Sequence, residues 1–317
     1  METVPIMRPG GRRWWAATPA LILVVAALAA GCSSTAATSG RPGRGPGVVA
    51  VAAEDTWGSL LRQLGGDRAS VTSLIRQPSV DPHSYEPRSS DGVKLATADV
   101  VVVNGVGYDA WASKLVAANP APRRVVVDVG KVVGAKEGDN PHRWYSPPDV
   151  AAAVDAMTSA LQRADPADAG YFDKQRRQLT SVGLEAYDDL RAQIRTAYSG
   201  TPIGISESIV TPLAADLGLV VATPERFADA IAEGNEPTAA DTQAVGRQLA
   251  TRAVRVFVVN SQNATPDVQS LVDAAHRAGI PAVTVTETPT PAGATFQEWQ
   301  TRQLAALASA LAGATGR

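Results

Sequence analysis

The chain has 317 residues, of which 45% are hydrophobic, and its 29 basic and 31 acidic residues leave a formal net charge of −2. A chain of this size and composition is long enough for two globular domains. Basic residues are scattered along the sequence and only 5% of the residues are aromatic, so the basic patches and stacking side chains of a nucleic-acid-binding protein are missing. We therefore expect no nucleic-acid partner.

Residues 1–31 predict a secretory signal peptide. Three arginines between residues 8 and 13 precede an apolar stretch, residues 16–30, that is too short for a comfortable membrane span. Translation can start at Met1 or at Met7. The pair Arg12 and Arg13 also leaves twin-arginine export open beside the general secretory route.

The signal ends in Leu-Ala-Ala-Gly-Cys, residues 28–32, which looks like a bacterial lipobox. Cys32 is the only cysteine of the chain, so it has no partner for an intramolecular disulfide. We expect Cys32 to be lipidated and to become the mature N-terminus; the alternative is a cysteine that follows a cleaved signal by accident. Residues 32–47 are rich in small and polar residues and predict a flexible tether. Together these segments predict a protein that is lipid-anchored to the cell membrane on its extracytoplasmic face.

Short apolar runs alternate with helical patterns from residue 48 onward, which is typical of parallel sheets covered by helices. In a first lobe, residues 48–165, strands are predicted at residues 48–53, 70–75, 100–103 and 125–127. Helices are predicted at residues 56–64, 91–98 and 108–118, and from residue 147 to about residue 164. Residues 130–141 are predicted to form a loop.

Residues 166–199 predict one linking helix, because apolar residues recur there at helical spacing, Val182 and Ala186 among them. At 1.5 Å per residue the helical pattern, roughly residues 166–197, would span about 48 Å, enough to run the length of a two-lobed molecule. Gly183 is its weak point, since a glycine inside a helix costs about 1 kcal/mol relative to alanine. A surface helix of one continuous domain is the alternative interpretation.

The alternation of strands and helices begins again in residues 200–317. Strands are predicted at residues 202–205, 219–222, 255–259 and 282–285, and helices at residues 209–217, 239–252, 266–278 and 296–311. The predicted fold class is therefore α/β, with two Rossmann-like lobes of mainly parallel strands joined by one long helix.

Four side chains that bind metals in other proteins follow predicted strands. His83 and His142 each follow a proline in the first lobe, and Glu207 and Glu287 follow strands of the second. Proline restricts the backbone conformation at its own position and at the residue before it, which stiffens the loop. Open α/β sheets bind ligands beyond the carboxyl ends of their strands. Two imidazoles and two carboxylates form a ligand set for a divalent transition metal. The alternatives are solvated turn histidines and acids that only complement a helix dipole or face water; His276, inside a helix, is expected to be solvated.

The motifs around these residues resemble the zinc- and manganese-binding receptors of ABC importers, the solute-binding protein 9 family, over residues 48–311. The matching runs are Asp-Pro-His-Ser-Tyr-Glu-Pro at 81–87, Asn-Pro-His-Arg-Trp at 140–144, Asn-Glu-Pro-Thr at 235–238, Ala-Gly-Ile-Pro at 278–281 and Thr-Glu-Thr at 286–288. The first of these runs, followed at the right distance by Asn-Pro-His, is the most specific.

The resemblance implies two lobes bridged by a long rigid helix, with the metal site between the lobes and ligands at His83, His142, Glu207 and Glu287. Glu207 matches the family members that use glutamate at the third position, whereas the family usually has aspartate where this chain has Glu287. Residues 131–140 contain no histidine, although zinc-scavenging members often carry a histidine-rich loop there. The expected cargo is Zn²⁺ or Mn²⁺, with a slight preference for Mn²⁺ because carboxylate oxygens are hard ligands.

The resemblance also implies the partners, namely a cognate ABC permease and its ATPase, and we expect the receptor to be a monomer. A metal-dependent surface adhesin of the same fold is one alternative. A metallohydrolase is the other, but the sequence has no His-Glu-x-x-His, no Gly-x-Ser-x-Gly and no glycine-rich phosphate loop. We therefore predict that the protein is not an enzyme.

Overall fold

Residues 47–80, 82 and 85–317 are described by the computed structural model. The predicted signal peptide, Cys32, nearly all of the predicted tether and His83 lie outside these residues. Among the residues that are described, no helix is both long enough and apolar enough to cross a membrane.

The first sheet consists of four parallel strands, β1 (Val48–Glu54), β2 (Ala69–Ile75), β3 (Val100–Val103) and β4 (Val125–Asp128). The strand order is β2-β1-β3-β4. All four residues of β3 are valines and all are buried, as expected for a central parallel strand that is covered by helices on both faces. The helices of this part are α1 (Asp55–Gly65), α2 (Ser89–Thr97), α3 (Ala110–Ala118), α4 (Val129–Val132) and α5 (Pro147–Ala164).

The connecting segment is helical but contains one wider turn. It comprises α6 (Ala169–Gln178), a π-helical turn (Leu179–Gly183) and α7 (Glu185–Tyr198). Leu179 and Leu184 are both buried, and the Leu184 N–H donates to the Leu179 carbonyl at 2.9 Å. The π-turn thus brings two residues five positions apart onto the buried face.

The wider turn changes which later residues face the core. Val182 and Ala186 were predicted on the apolar stripe, but both are exposed, Val182 to 55%. Tyr187 is buried instead. The prediction of an uninterrupted helix with those residues inside was wrong at this point. The turn ends at Gly183, and glycine has a low helix propensity.

The second sheet repeats the architecture of the first. Its strands are β5 (Pro202–Ile205), β6 (Val220–Val221), β7 (Val256–Asn260) and β8 (Ala282–Val285), all parallel, in the order β6-β5-β7-β8. Its helices are α8 (Thr211–Asp216), α9 (Glu225–Ala232), α10 (Ala239–Ala250), α11 (Pro266–Arg277) and α12 (Phe296–Thr315).

The two sheets share one apolar core. A single cluster of buried residues extends from Trp57 on α1 through Tyr145 to Leu304 on α12. Polar contacts join the same elements, since the Phe296 N–H donates to Ser59 Oγ at 2.8 Å. Because the lobes pack together in this way, the predicted lobe boundaries at residues 165/166 and 199/200 stay predictions.

Two helices differ from the sequence prediction. α4 extends into the stretch that was predicted as a loop, because Asp128 Oδ1 accepts a bond from the Lys131 N–H at 3.1 Å and caps one helical turn. α9 was not predicted at all. Its buried residues Phe227, Ala228 and Ile231 lie on one face, but eight residues give too few repeats for a periodic pattern to stand out.

Candidate metal centre

Three of the four predicted ligands lie together. One ligand atom from each of His142, Glu207 and Glu287 lies within 4.8 Å of the others. The exposed fractions are 1%, 1% and 8%. Glu207 and Glu287 each stand two residues beyond a strand, β5 and β8, and these strands flank β7. The carboxyl edge of one parallel sheet therefore brings both acids to the same place, as expected for a ligand site of an open α/β sheet.

Asn140 determines which nitrogen of His142 carries the proton. Its Oδ1 lies 2.9 Å from both the backbone nitrogen and Nδ1 of His142. Its Nδ2 donates to the Ser208 carbonyl at 2.7 Å, which fixes the orientation of the amide. An amide oxygen can only accept, so Nδ1 must be protonated and the lone pair of the neutral ring lies on Nε2. This is the tautomer that a metal-binding histidine adopts when its other nitrogen is held by an oxygen.

A second asparagine, Asn104, holds the backbone before this histidine. Asn104 directly follows β3 and is fully buried. Its Nδ2 donates to the Pro141 carbonyl at 2.9 Å, and its Oδ1 accepts from Trp57 Nε1 at 3.0 Å. The His142 ring also packs edge-on against Trp144, with ring centroids 5.3 Å apart. The imidazole is therefore fixed by packing as well as by hydrogen bonds.

Every carboxylate oxygen of the two acids accepts a hydrogen bond from a neutral side chain. Asn260 Nδ2 donates to Oε1 of Glu207 at 2.7 Å and to Oε1 of Glu287 at 2.8 Å. Asn263 Nδ2 donates to Oε2 of Glu207 at 2.7 Å, and the Tyr108 hydroxyl donates to Oε2 of Glu287 at 2.7 Å. Hydrogen bonds of this kind favour the charged form of a carboxylate. A carboxylate oxygen has two lone pairs, so an oxygen that accepts one hydrogen bond can also bind a cation.

The backbone of Glu287 is held from both lobes. Gln262 Oε1 accepts from the Glu287 N–H at 2.6 Å, and the carbonyl of Glu287 accepts from Thr56 Oγ1 of α1 at 2.9 Å. Thr56 and Tyr108 belong to the first lobe, whereas Glu287 belongs to the second. Glu287, which stands where the family usually has aspartate, is thus fixed by contacts from both lobes.

Burial and nearby acids influence the pKa of Tyr108. Burial raises the pKa of Tyr108 well above its usual value, with the Glu287 charge as the next cause and Glu54 as the third. The phenol therefore stays protonated and remains a donor. Burial, together with the neighbouring Asp109, also raises the pKa of Glu54 well above its usual value. Burial raises the pKa of Asp109 to about 6, against the opposing hydrogen bonds from the Gly105 and Asn104 N–H groups.

Two clefts flank the end of α9 and approach the centre. One has a volume of about 510 Å³ and is lined by Pro78, Pro82, Glu233 and Glu287 among others. The other has a volume of about 480 Å³ and is lined by Asn140, Glu225 and Glu233 among others. Glu287 belongs to the centre and also lines the first cleft.

A comparison with protein families identifies the type of protein. Residues 50–310 match the family model ZnuA, described as zinc-uptake complex component A, periplasmic. The chain belongs to the ZnuA family. The predicted resemblance to the zinc- and manganese-binding receptors of ABC importers is thereby confirmed.

Curated relatives of this ZnuA-family chain are named for three different metals. The manganese-binding lipoprotein MntA of Halalkalibacterium halodurans is 32% identical over 144 residues, 44% of this chain and 46% of the relative. The iron-binding protein YfeA of Yersinia pestis is 28% identical over 170 residues, 50% of this chain and 53% of the relative. The high-affinity zinc uptake system protein ZnuA of Bacillus subtilis is 23% identical over 169 residues, 48% of this chain and 53% of the relative. The chain spans about half the length of the curated relatives it matches.

Solved structures of the same fold confirm the predicted fold class. The substrate-binding protein FpvC of Pseudomonas aeruginosa in complex with Mn²⁺ gives a TM-score of 0.68 at 22% identity, covering 84% of this chain and 98% of that chain. A metal-free point mutant of the periplasmic metal-binding protein of Candidatus Liberibacter asiaticus gives a TM-score of 0.70 at 17% identity, covering 83% of this chain and 99% of that chain. At these identities the likeness concerns the fold alone.

Sequence reasoning did not assign a role to the residues that support the candidate ligands. Asn140 was part of a motif, but no functional role was predicted for Tyr108, Asn260 or Asn263. A usable signal exists for Asn260 and Asn104, because a buried polar residue at the end of an otherwise apolar central strand needs a partner. No pattern in the sequence indicates that the partners of Asn260 are Glu207 and Glu287.

Proposed function

We propose that this ZnuA-family protein captures a divalent transition metal, Zn²⁺ or Mn²⁺, and delivers it to an ABC importer. The observation that supports the proposal best is the convergence of His142, Glu207 and Glu287, which are buried and have one ligand atom each within 4.8 Å of the others. Metal ligation requires ionised carboxylates and a neutral imidazole, and in these forms the three ligands carry a charge of −2, which a divalent cation neutralises. His83 is proposed as the fourth ligand.

The contacts of the centre suit a receptor better than a hydrolase. A catalytic metal keeps an open position for an activated water with a general base beside it. Here the four carboxylate oxygens are already held by Asn260, Asn263 and Tyr108, and such fixed donors orient ligands around a bound ion. Buried ligands from both lobes favour a cargo that is enclosed and later released when the lobes move apart.

The place of the protein in the cell is part of the same proposal. Lipidation at Cys32 and the tether of residues 32–47 would hold the metal-binding lobes at the extracytoplasmic face of the cell membrane, close to a cognate permease and its ATPase. The relatives named above include a manganese-binding lipoprotein, which agrees with this arrangement. We propose that the receptor acts as a monomer.

The identity of the cargo rests on ligand chemistry. Two carboxylates supply hard oxygen ligands, which suit Mn²⁺ and Fe²⁺, and this gives a slight preference for Mn²⁺. The Irving–Williams order nevertheless makes Zn²⁺ bind most such sites more tightly than Mn²⁺. Affinity in vitro therefore does not identify the cargo. The cargo is identified by the growth and metal content of a deletion strain under separate zinc and manganese starvation. A defect that only zinc restores would overturn the preference for manganese.

The binding step is tested with purified residues 48–317, using elemental analysis for stoichiometry and calorimetry for affinity. We expect one Mn²⁺ or Zn²⁺ per chain. The His142→Ala variant should lose tight binding, while the matched variant His276→Ala, which changes an exposed histidine on α11, should bind as the wild type does. Absence of binding by the wild type would refute the proposed function, and equal loss in both variants would indicate misfolding rather than a lost ligand.

A further inference from the structure

The two sheets place an asparagine at the same position. In the first sheet Ala52 of β1 pairs with Val102 of β3, and in the second Ile205 of β5 pairs with Val258 of β7. Two residues further along, these registers reach Glu54 and Asn104 in the first lobe and Glu207 and Asn260 in the second. The repeated strand order makes these positions equivalent.

Asn104 and Asn260 have different partners. The amide of Asn104 contacts neutral groups, the Trp57 indole and the Pro141 carbonyl. The amide of Asn260 contacts two carboxylates instead, those of Glu207 and Glu287. The second lobe thus uses its asparagine to join the two acids, whereas the first lobe uses its asparagine to support a loop.

Both Nδ2 protons of the Asn260 amide are used in this position. The residue is 0% exposed. Its Oδ1 accepts from the Gln262 N–H at 2.9 Å, which fixes the orientation of the amide, and its two Nδ2 protons serve the two acids. Its own N–H donates to Ser206 Oγ at 3.0 Å. An amide nitrogen has two protons, so a single neutral group holds two like charges side by side.

We propose that Asn260 is the positioning residue that pairs Glu207 and Glu287 for joint binding of one ion. This inference rests on the proposed function. Like-charged carboxylates repel each other, and the shared donor opposes this repulsion because it holds one oxygen of each acid. With the donor present, the second lobe offers both acids in one arrangement before the ion arrives, which lowers the cost of ordering them on binding.

The experiment measures Mn²⁺ and Zn²⁺ binding by residues 48–317 of the wild type and of the variants Asn260→Ala and Asn260→Ser. The serine variant is included because serine has only one proton to donate and cannot join both acids. We expect both variants to bind about 10- to 100-fold more weakly, the range found when partners of metal ligands are removed. Thr223→Val is the matched control. Thr223 is buried in the same lobe and bonds only to the backbone of Ile205 in the described residues, so its loss should reduce stability without weakening binding.

A spectroscopic measurement separates positioning from a general structural role. The electron paramagnetic resonance spectrum of bound Mn²⁺ and the visible spectrum of bound Co²⁺ report the ligand geometry. Both spectra should change in the Asn260 variants and stay unchanged in Thr223→Val. Unchanged affinity and spectra in the Asn260 variants, or tighter binding, would overturn the inference while leaving the metal-receptor proposal intact. Failure of the wild type to bind would refute that proposal itself.

Discussion

Asn140 provides the sharpest test of how His142 is prepared. The Asn140→Ala variant removes the oxygen that accepts from both the backbone N–H and Nδ1–H of His142. Each such hydrogen bond contributes about 1 kcal/mol net, so the two together suggest a loss of about 2 kcal/mol in the free energy of metal binding. This lies within the 10- to 100-fold loss of affinity, about 1.4 to 2.7 kcal/mol, expected when a partner of a ligand is removed.

The matched variant is Asn140→Asp. A carboxylate can still accept both bonds from His142, but it cannot donate to the Ser208 carbonyl. We expect this variant to keep the Nδ1-protonated ring and to bind metal less than tenfold more weakly than the wild type. The alanine variant should show a mixture of the two tautomers.

Two measurements check these expectations. Affinity is obtained by titration against a competing chelator, and the tautomer of the metal-free protein is obtained from the ¹⁵N chemical shifts of the His142 ring. If Asn140→Ala bound metal as the wild type does and kept the Nδ1-protonated ring, the assignment of tautomer control to Asn140 would be wrong.

Four further outcomes are expected. His83→Ala should abolish tight metal binding in calorimetry, whereas a normal site in this variant would exclude His83 as a ligand. Cys32→Ala should release the protein from membranes in cell fractionation, and full retention would contradict the lipid anchor. Tyr108→Phe removes a hydrogen bond to a buried carboxylate, so urea unfolding of the metal-free protein should show a loss of about 1.5 to 3 kcal/mol; no change would mean that this bond does not stabilise the fold. The pKa of Glu54 is raised in the folded state, so the folded protein retains a proton that the unfolded protein releases. The stabilising effect of Glu54 is therefore complete at acidic pH and is lost as the pH rises through the folded-state pKa. Relative to Glu54→Gln, the wild type should therefore lose stability with rising pH, by up to about 1.4 kcal/mol per pH unit, and parallel stability curves would contradict this.

The strands were predictable from the sequence because each is a short apolar run bounded by turn residues. β3 and β7 are buried on both faces, and runs such as Val-Val-Val-Val leave little ambiguity. The π-turn at Leu179–Gly183 was not predictable from periodicity. A single wider turn leaves the pattern before it unchanged and shifts the buried face by one residue in the helix that follows. α9 is too short to produce a clear pattern.

The candidate ligands were predictable for a different reason. Glu207 and Glu287 follow strands, and parallel topology brings such positions to one edge. The arrangement around them depends on tertiary structure. Asn260 lies between the two acids only because β7 lies between β5 and β8, and Tyr108 reaches Glu287 only because the lobes pack against each other. Strand order and lobe packing are not local properties of the sequence.

The central claim is that one divalent ion binds at His142, Glu207 and Glu287, and anomalous scattering from crystals grown separately with Mn²⁺ and Zn²⁺ tests it most directly. For each metal, data collected above and below its absorption edge locate the ion independently of any assumed ligand. For zinc we expect one strong peak per chain, within about 2.0 to 2.2 Å of Nε2 of His142 and of at least one oxygen from each glutamate. For manganese we expect the peak at the same position. A strong peak at other residues, or no peak at this centre with either metal, would contradict the account.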